Sequence, residues 1–437
     1  MNNQNLFSQS YGEIIKNILG DGTHYFQMLG NPQSFNWPVA AAGQISPEAY
    51  QLMSAAPTYS PVGEFGGVGE STLFSNYKQV FSHVGFKVSP EHAQQLTKLS
   101  NQAKAAQKAV VDAGTDANTA YNTAKQNGGA FFKTKFPTPE SWFDGPGKTY
   151  MKEIKTAEKA ADGIFDQIQA LNEANQPEEL QDAMNLIKLP SGSPSGGNTP
   201  RGWAVVKDQS GVLQWQPSFE ISTNSQNWRQ QLTDGSIGEK TISLSASKSD
   251  SSITKSWAGG SVSVGTPFWG FYANGSWSKT DISESDDSIE VTVKLQSATN
   301  VLITPGDWYE GGFLKQLATA GNSGTGYEIL PPYSASGDQA LFGKDGICST
   351  MITGLVVAYK PSFSVTMKSS TYQQHEEEIK ASAGLRIGPF TFGGSGGHYS
   401  QDISTTGNTT TLTGGSTSED PVILGVTVGF PGTQKPG

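Results

Sequence analysis

The feature that most constrains the fold is a change of hydrophobic period at residues 189–201. This segment reads LPSGSPSGGNTPR and has the composition of a linker. Before it, apolar residues recur at helical spacing, whereas after it apolar and polar residues alternate as they do in β-strands. The change predicts a multi-domain α+β protein. Its expected segments are residues 1–88, a mixed helical N-terminal region, 89–188, a helical hairpin, 189–201, the linker, and 202–437, an antiparallel β domain.

Two apolar series with heptad-like spacing run through residues 89–188. The first, from Ala93 to Ala124, consists mostly of alanine, and the second, from Tyr150 to Leu171, has larger side chains. Gly128-Gly129 interrupts the pattern between them. The two series predict a long antiparallel helical hairpin whose first helix spans roughly 55 Å at about 1.5 Å per residue. Further helices are expected at Tyr11–Leu19, Pro47–Ala55, Glu70–Val84 and Pro177–Ile187.

The β region contains an internal duplication. Four pairs of stretches match in the same order: Trp215–Ile221 with Tyr359–Val365, Val264–Phe268 with Ile387–Phe390, Asp281–Ser283 with Asp402–Ser404, and Val301–Ile303 with Val422–Leu424. The last two pairs share one offset, so the spacing between them is preserved. Neither copy alone can bury both faces of its strands. The duplication therefore predicts a pseudo-two-fold unit in which the two copies close on each other as a sandwich or barrel.

Alternating residues place individual elements within the β region. Strands are expected at Thr241–Ser247, Ser288–Leu295, Ser362–Met367 and Val422–Val428, with one helix at Gly312–Ala320. The run His375–Glu378 is interpreted as a solvated strand end or loop. Glu284, Asp286 and Asp287 are interpreted as an acidic turn that solvates a hairpin tip, with a Ca²⁺ site as the alternative.

Catalytic and metal-binding patterns are absent from the sequence. The five histidines include no pair with HxH or HExxH spacing, and no P-loop or GxGxxG after a strand occurs. Gly393–Gly397 reads GGSGG, but it lies among expected strands without a following helix, so a phosphate-binding loop is not expected there. We therefore expect no catalytic residues, no metal ligands and no cofactor, and we lean against an enzyme. A carboxylate-only active site stays open as an alternative. Cys348, the single cysteine, is expected to be a small buried apolar residue.

Charge and segment composition limit the partners and the location. The net charge of −10 repels phosphate backbones, so nucleic acid is not an expected partner, and anionic lipid is disfavoured on the same ground. Neutral lipid and surface glycans remain open. The N-terminus lacks a basic region followed by an apolar stretch, so we expect synthesis in the cytoplasm without a signal peptide. Action outside the cell would then require lysis or leaderless release.

The segment Ser261–Ser278, SVSVGTPFWGFYANGSWS, has the least ordinary composition in the chain. Small polar residues alternate first with valine and then with large aromatic residues. Strands of this kind have one apolar face and one Ser/Gly face, as in hairpins that line membrane pores. The same alternation is typical of any half-buried antiparallel sheet. The candidate membrane- or ligand-contacting residues are Phe268, Trp269, Phe271, Tyr272 and Trp277, with burial in a sheet core as the alternative.

These sparsely charged ribbons resemble those of pore-forming toxins in general character. Gly22-Thr23-His24 is similar to a fragment of the perforin-like signature, without its flanking residues and nearer the N-terminus, so no functional residue is transferred. The leading interpretation is a membrane-active, pore-forming-toxin-like protein whose amphipathic β segments and helical hairpin rearrange on a target membrane, with a homo-oligomer as a candidate assembly. One alternative is a β module that binds glycans or another surface ligand through its aromatic residues. A structural or assembly protein is the other.

Overall fold

A computed structural model gives the architecture of this α+β protein. It describes residues 2–20, 25–34, 47–57, 64–65, 71–86, 90–136, 139–173, 178–191, 194, 199–207, 212–221, 227–248, 268–278, 280, 282, 286–319, 327–334, 341–343, 346–393 and 399–432. The chain forms two compact units, each assembled from separate stretches of sequence. The first comprises Met1–Val68, Ser191–Gly306 and Thr350–Gly429, and the second comprises Gly69–Pro190, Asp307–Ser349 and Phe430–Gly437. The division into four consecutive segments stays a prediction.

The helices lie in both halves of the sequence. They are α1 (Asn2–Ile14), α2 (Pro47–Ser54), α3 (Leu73–Ser82), α4 (Pro90–Lys135), α5 (Pro139–Phe143), α6 (Lys148–Glu173), α7 (Glu178–Leu186), α8 (Trp228–Thr233), α9 (Gly311–Thr319) and α10 (Ser369–Ala381). A short π-helical stretch, Ile15–Leu19, continues α1. Among the described residues, none of these helices combines the length and the apolar character that crossing a bilayer requires.

The strands are concentrated after residue 200. They are β1 (Tyr25–Ser34), β2 (Glu64–Phe65), β3 (Val84–Phe86), β4 (Trp203–Lys207), β5 (Leu213–Pro217), β6 (Phe219–Ile221), β7 (Lys240–Ser245), β8 (Trp269–Ala273), β9 (Ser276–Trp277), β10 (Glu290–Pro305), β11 (Tyr327–Ile329), β12 (Met351–Lys368), β13 (Gly384–Ile387), β14 (Phe390–Gly393), β15 (Tyr399–Thr406), β16 (Thr409–Ser416) and β17 (Val422–Gly429).

The main sheet of the first unit is organised around β12. On one side β12 pairs antiparallel with β10 along nearly its whole length, from Glu290 opposite Thr366 to Leu302 opposite Gly354. On the other side it pairs with β16 and then β17, and β1 adds to β17. Strands β6 and β7 pair with β10. Strands rich in Val, Ile and Leu, such as β17, are buried at the centre of this sheet.

The β12 strand changes its outer partner at Lys360. Residues Met351–Ala358 pair with β17, and residues Ser362–Lys368 pair with β16. Lys360 itself has a φ of 43°, a left-handed conformation that is uncommon outside glycine. Its ammonium group lies 2.6 Å from the Glu419 carboxylate in the segment that joins β16 to β17. The partner change therefore coincides with a local irregularity in β12.

A smaller sheet in the first unit has the strand order β14-β13-β8-β9. Phe392 of this sheet packs against Phe363 of β12, with ring centroids 4.6 Å apart. Phe268, which precedes β8, makes an edge-to-face contact with Phe7 of α1 at 5.0 Å. Aromatic contacts therefore join the smaller sheet both to the main sheet and to the N-terminal helix.

The second unit is mainly helical. Leu96 of α4, Ile168 of α6 and Leu330 form a buried apolar cluster, onto which Leu99, Ala103, Ile164 and Leu171 pack. Farther along α4, Tyr121 contacts Trp142 of α5, with ring centroids 5.8 Å apart. Strands β3 and β11 pair antiparallel beside these helices. Buried aromatic residues at Tyr77, Phe81 and Trp308 supply apolar area that the alanine-rich helix lacks.

Most of the expected elements are present, but several elements of the structure were not predicted. The expected strands coincide with parts of β7, β10, β12 and β17, and the expected helix after β10 is α9. The expectation that only one helix interrupts the β region was wrong, since α8 and α10 also lie there. The N-terminal region was expected to contain short helices joined by Gly/Pro-rich connections, yet Tyr25–Ser34 forms β1 in the main sheet, and Glu64–Phe65 and Val84–Phe86 are also strands.

Candidate functional site

Two long segments leave the main sheet and return to it at the same end of its strands. Ser245, where β7 ends, lies opposite Glu290, where β10 begins. Lys368, where β12 ends, lies opposite Thr409, where β16 begins, and Glu290 pairs with Thr366. We call this end of the sheet the exit edge, residues 246–289 the first segment and residues 369–408 the second segment. Each segment thus connects two adjacent antiparallel strands.

Hydrogen bonds close the base of each segment. The Ala246 amide donates to the Ile289 carbonyl at 2.8 Å, and the Ser369 amide donates to the Asn408 carbonyl at 2.8 Å. These bonds continue the ladders of β7–β10 and β12–β16 by a further step. The pairing thus reaches only the first and last residue of each segment, and in the second segment α10 starts at Ser369 itself.

The Gln9 side chain of α1 holds the start of the first segment. The side-chain nitrogen of Gln9 donates to the carbonyls of Ser245 at 2.9 Å and Lys248 at 2.8 Å. The side-chain oxygen of Gln9 accepts a hydrogen bond from the backbone amide of Ser245 at 2.9 Å. Gln9 is buried, so these bonds form away from water. The side chain takes the place of a neighbouring strand at the end of β7.

The smaller sheet joins the two segments to each other. Strand β8 of the first segment pairs with β13 of the second, with Trp269 opposite Ile387 and Phe271 opposite Leu385. The Ala383 amide donates to the Tyr272 carbonyl at 2.7 Å, which extends this ladder. Leu385 and Ile387 are both fully buried. Separating the segments would break this ladder and expose its apolar side chains.

The five candidate contact residues divide into a buried and a half-buried group. Phe268, Trp269 and Phe271 are at most 2% exposed, so in this structure they are core residues, and their contact with lipid or ligand stays a prediction. Tyr272 and Trp277 are half-buried and contact each other, with ring centroids 5.2 Å apart. Alternation alone could not distinguish these environments, because core and lipid faces have the same apolar period.

Arg386 places a guanidinium group inside the smaller sheet. It is 5% exposed, and its guanidinium carbon lies 4.8 Å from the centre of the Trp277 ring, a cation–π contact. Burial lowers the pKa of Arg386. The alternating sequence pattern identified Trp277 but gave no signal for its cationic partner, which lies on the other segment.

Asp286 is the most strongly held acidic group at the exit edge, and the prediction that it solvates a hairpin tip was wrong. Its Oδ1 accepts hydrogen bonds from the Ser288 amide at 2.9 Å and the Ser288 hydroxyl at 2.6 Å. Its Oδ2 accepts bonds from the Lys368 amide at 2.8 Å and the Thr371 hydroxyl at 2.9 Å. The carboxylate is buried, and it joins the start of β10 to the start of α10.

The hydrogen bonds to Asp286 favour its ionised form. Burial by itself raises the pKa of this carboxyl group, but the bonds from Ser288, Lys368 and Thr371 outweigh it and hold the pKa well below the usual value. The Lys368 ammonium lies 3.3 Å from Asp286 and 3.1 Å from the exposed Asp287. Hydrogen bonds to Asp287 and Asp286 raise the pKa of Lys368.

The run His375–Glu378 belongs to α10, so its interpretation as a strand end or loop was wrong. The Thr280 hydroxyl of the first segment donates to the Glu378 carboxylate at 3.2 Å. His375 Nδ1 lies 3.5 Å from the same carboxylate. Through Glu378, α10 therefore contacts the first segment as well as its own.

Other chemical groups give no further site in the described part of the chain. No three His, Cys, Asp or Glu side chains converge there as metal ligands. Cys348 is 1% exposed, as expected for a buried apolar residue, and burial raises the pKa of its thiol to about 12. Gly22-Thr23-His24, Glu284, Asp281, Ser283 and Val264–Pro267 lie outside the described residues.

The geometry of this site is accompanied by no similarity to known proteins. No protein-family model matches the chain, and no curated protein and no solved structure shows significant similarity to it. The function must therefore be argued from the exit edge and its two segments alone.

Proposed function

We propose that this protein is membrane-active and forms pores. The two segments at the exit edge give up their pairing with each other in the smaller sheet, α10 of the second segment unfolds, and each segment refolds as an amphipathic β-hairpin. The first hairpin continues β7 and β10, and the second continues β12 and β16. Several copies of the chain would combine their hairpins into one closed barrel, since unpaired strand edges are not tolerated in lipid.

The observation that carries the proposal is the shared exit edge. Ser245, Glu290, Lys368 and Thr409 lie at the same end of one antiparallel sheet, and each segment joins adjacent strands. A hairpin formed by either segment would therefore extend an existing strand pair without any change of register. Segments that joined distant strands would lack this property.

The sequence of the second segment supports a lipid-facing strand. From Ile379 to Ile387 the residues read IKASAGLRI, so every second residue is apolar and the residues between are polar or glycine. This alternation has the length that a transmembrane β-strand needs, about 9–11 residues. The acidic residues Glu376–Glu378 precede it and would stay in water. In the first segment, Ser261–Ser278 supplies the corresponding pattern.

The proposal includes a duplicated sandwich as the resting form. Each proposed copy contributes one strand pair to the main sheet and one hairpin, β8–β9 or β13–β14, to the smaller sheet. The contact of Phe363 with Phe392 supports face-to-face packing of the two sheets. The pairing of β8 with β13 supports a pseudo-two-fold relation between the copies.

In the second unit we propose that α4 and α6 form an antiparallel hairpin. Leu96, near the start of α4, shares a cluster with Ile168, near the end of α6. Tyr121, late in α4, contacts Trp142, just before α6 begins. Contacts that join the start of one helix to the end of the other support an antiparallel arrangement.

The glycan-binding alternative has less support. Stacking on a sugar ring requires an exposed aromatic face. Of the tryptophans that the structure describes, Trp142, Trp203, Trp228, Trp269 and Trp308 are buried, while Trp215 and Trp277 are half-buried. We therefore put forward the membrane function alone.

A disulfide between the two segments tests the proposal. A Cβ atom added to Gly270 would lie 3.6 Å from the Cβ of Arg386, which falls within the Cβ–Cβ range of about 3.5–4.5 Å for disulfides. The double variant G270C/R386C would therefore join β8 to β13 covalently when oxidised. Dye leakage from liposomes is measured with the oxidised and the reduced forms of this variant.

We expect wild-type protein and the reduced double variant to release dye, and the oxidised variant to release none until a reductant is added. The single variants G270C and R386C, treated with the same oxidant, are the matched controls. Equal leakage from both redox forms would show that the segments need not separate. Intact liposomes at every protein concentration would refute the membrane function itself.

A further inference from the structure

The range Pro90–Lys135 of α4 contains an abrupt reversal of the chain at Gly129, which divides it into a long helix and a short one. Gly129 has a φ of 49° and a ψ of −132°, which no helical residue adopts. Phe132, beyond the reversal, lies against Tyr121 on the preceding helix, with ring centroids 5.7 Å apart. The backbone after Gly129 therefore returns along α4, and residues 126–131 form the tip of this part of the second unit.

A cluster of aromatic residues fixes the conformation of this tip. Trp142 and Phe132 are 6% exposed, and Trp142 contacts Tyr121, Phe143 and Tyr150. Packing is close, because a Cβ atom on Gly147 would lie 2.4 Å from the Trp142 ring. The tip is therefore held by its own small core.

Phe131 extends from this supported tip into solvent. It is 72% exposed, the highest value among the exposed large apolar residues of the described chain, although its neighbour Phe132 is buried. The Lys135 ammonium lies 5.8 Å from the Phe131 ring and 5.6 Å from the Phe136 ring. Lys125 lies 5.7 Å from the Tyr121 ring. We call Lys125, Phe131, Lys135 and Phe136 the tip patch.

The local charge at the tip is opposite to that of the whole protein. Residues 121–152 contain five lysines and two acidic residues, whereas the chain carries a net charge of −10. An exposed aromatic ring beside lysines suits the boundary of a bilayer, where the ring enters the acyl region and the ammonium groups meet lipid phosphates. The sign of the charge selects an anionic surface.

We propose that the tip patch binds the surface of a membrane that contains anionic lipid. Phe131 inserts at the interface, and Lys125 and Lys135 contact anionic headgroups. The net negative charge of the whole protein disfavours anionic lipid. However, the Debye length is about 8 Å at physiological salt, so a membrane surface interacts mainly with the protein charges closest to it, which at the tip are lysines. This inference extends the proposed function by naming the first lipid contact, and it rests on that function for its biological role.

Flotation of the full-length protein with vesicles tests the inference without requiring leakage. Vesicles of phosphatidylcholine are compared with vesicles that also contain phosphatidylserine. We expect wild type to bind the second kind more tightly, and F131S to weaken this binding about tenfold. The double variant K125Q/K135Q should weaken it by about fivefold per lysine.

Matched controls remove the same chemical groups elsewhere in the second unit. V111S removes a half-exposed apolar side chain from the middle of α4, and K98Q/K159Q removes two exposed lysines from α4 and α6. We expect both controls to bind like wild type. Equal losses in controls and tip variants, or equal binding of wild type to both vesicles, would overturn the inference. Binding without dye leakage would refute pore formation and leave the tip patch intact.

Discussion

Replacing Asp286 with asparagine should release the start of α10 from the exit edge. Each carboxylate oxygen accepts two hydrogen bonds, from Ser288 on one side and from Lys368 and Thr371 on the other. An asparagine side chain has one acceptor oxygen, and an NH2 group replaces the second oxygen. In either orientation the NH2 group therefore lies opposite a backbone amide that can only donate. At least two hydrogen bonds to a charged acceptor are lost.

The free-energy cost follows from those two bonds. A hydrogen bond to a charged group contributes about 1.5–3 kcal/mol, and breaking a buried charge cluster costs about 3–5 kcal/mol. We therefore expect D286N to destabilise this region by about 3–5 kcal/mol. Hydrogen exchange of the α10 amides should then accelerate by about a hundredfold or more at neutral pH. This local measurement avoids assuming that both units unfold in one step.

D287N is the matched control, because Asp287 also contacts Lys368 but is 81% exposed. Exposed ion pairs contribute about 1 kcal/mol or less, so exchange should change little. The pH dependence supplies an independent check. The pKa of Asp286 is lowered on folding, so its stabilisation is complete above about pH 5 and declines as pH falls through the ordinary value of 3.8. Equal exchange in D286N and D287N at pH 7 would refute this reasoning.

Three further changes test the packing of each unit. G388A should lower the melting temperature more than G407A, because both glycines have positive φ but only the Gly388 Cβ would meet the Phe268 ring, at 2.7 Å; similar melting temperatures would exclude that clash. Q9A should cost about 2–3 kcal/mol in urea unfolding of the first unit, since two buried hydrogen bonds and a partly buried one are lost, and an unchanged midpoint would contradict this. Cys348 should resist maleimide at pH 8 until urea is added, because its thiol pKa is about 12; rapid labelling of native protein would contradict its burial.

Local pattern predicted those elements whose apolar spacing is regular. The break at Gly128-Gly129 was readable because two glycines interrupt a heptad-like series, and Gly129 does leave the helical conformation. Strand β12 was recognised only in part, since Pro361 divides its apolar run although the strand continues through it. Strand β1 was missed because its alternation is poor and its identity depends on distant β17.

The candidate site was harder to predict, because its determinants join residues far apart in sequence. The Asp286 side chain accepts a bond from the amide two residues on, a pattern of Asx turns that Asp-Asp-Ser could have suggested. Its bonds to Lys368 and Thr371 had no such local signal. Helix α10 could have been recognised, since Gln, Glu and Lys are good helix formers and Glu376 and Lys380 are four residues apart.

The irregularity at Lys360 determines how the two ends of the main sheet are mechanically connected. Strands β10 and β12 run through this point without loss of register, while their outer neighbour is divided into β16 and β17. Within the described part of the sheet, a twisting force at the exit edge would therefore reach the opposite end through β10 and β12. Residues 417–421 connect β16 to β17 on the outer side. We expect this connection to change conformation when the two ends of the sheet twist relative to each other, so that β16 and β17 can move separately.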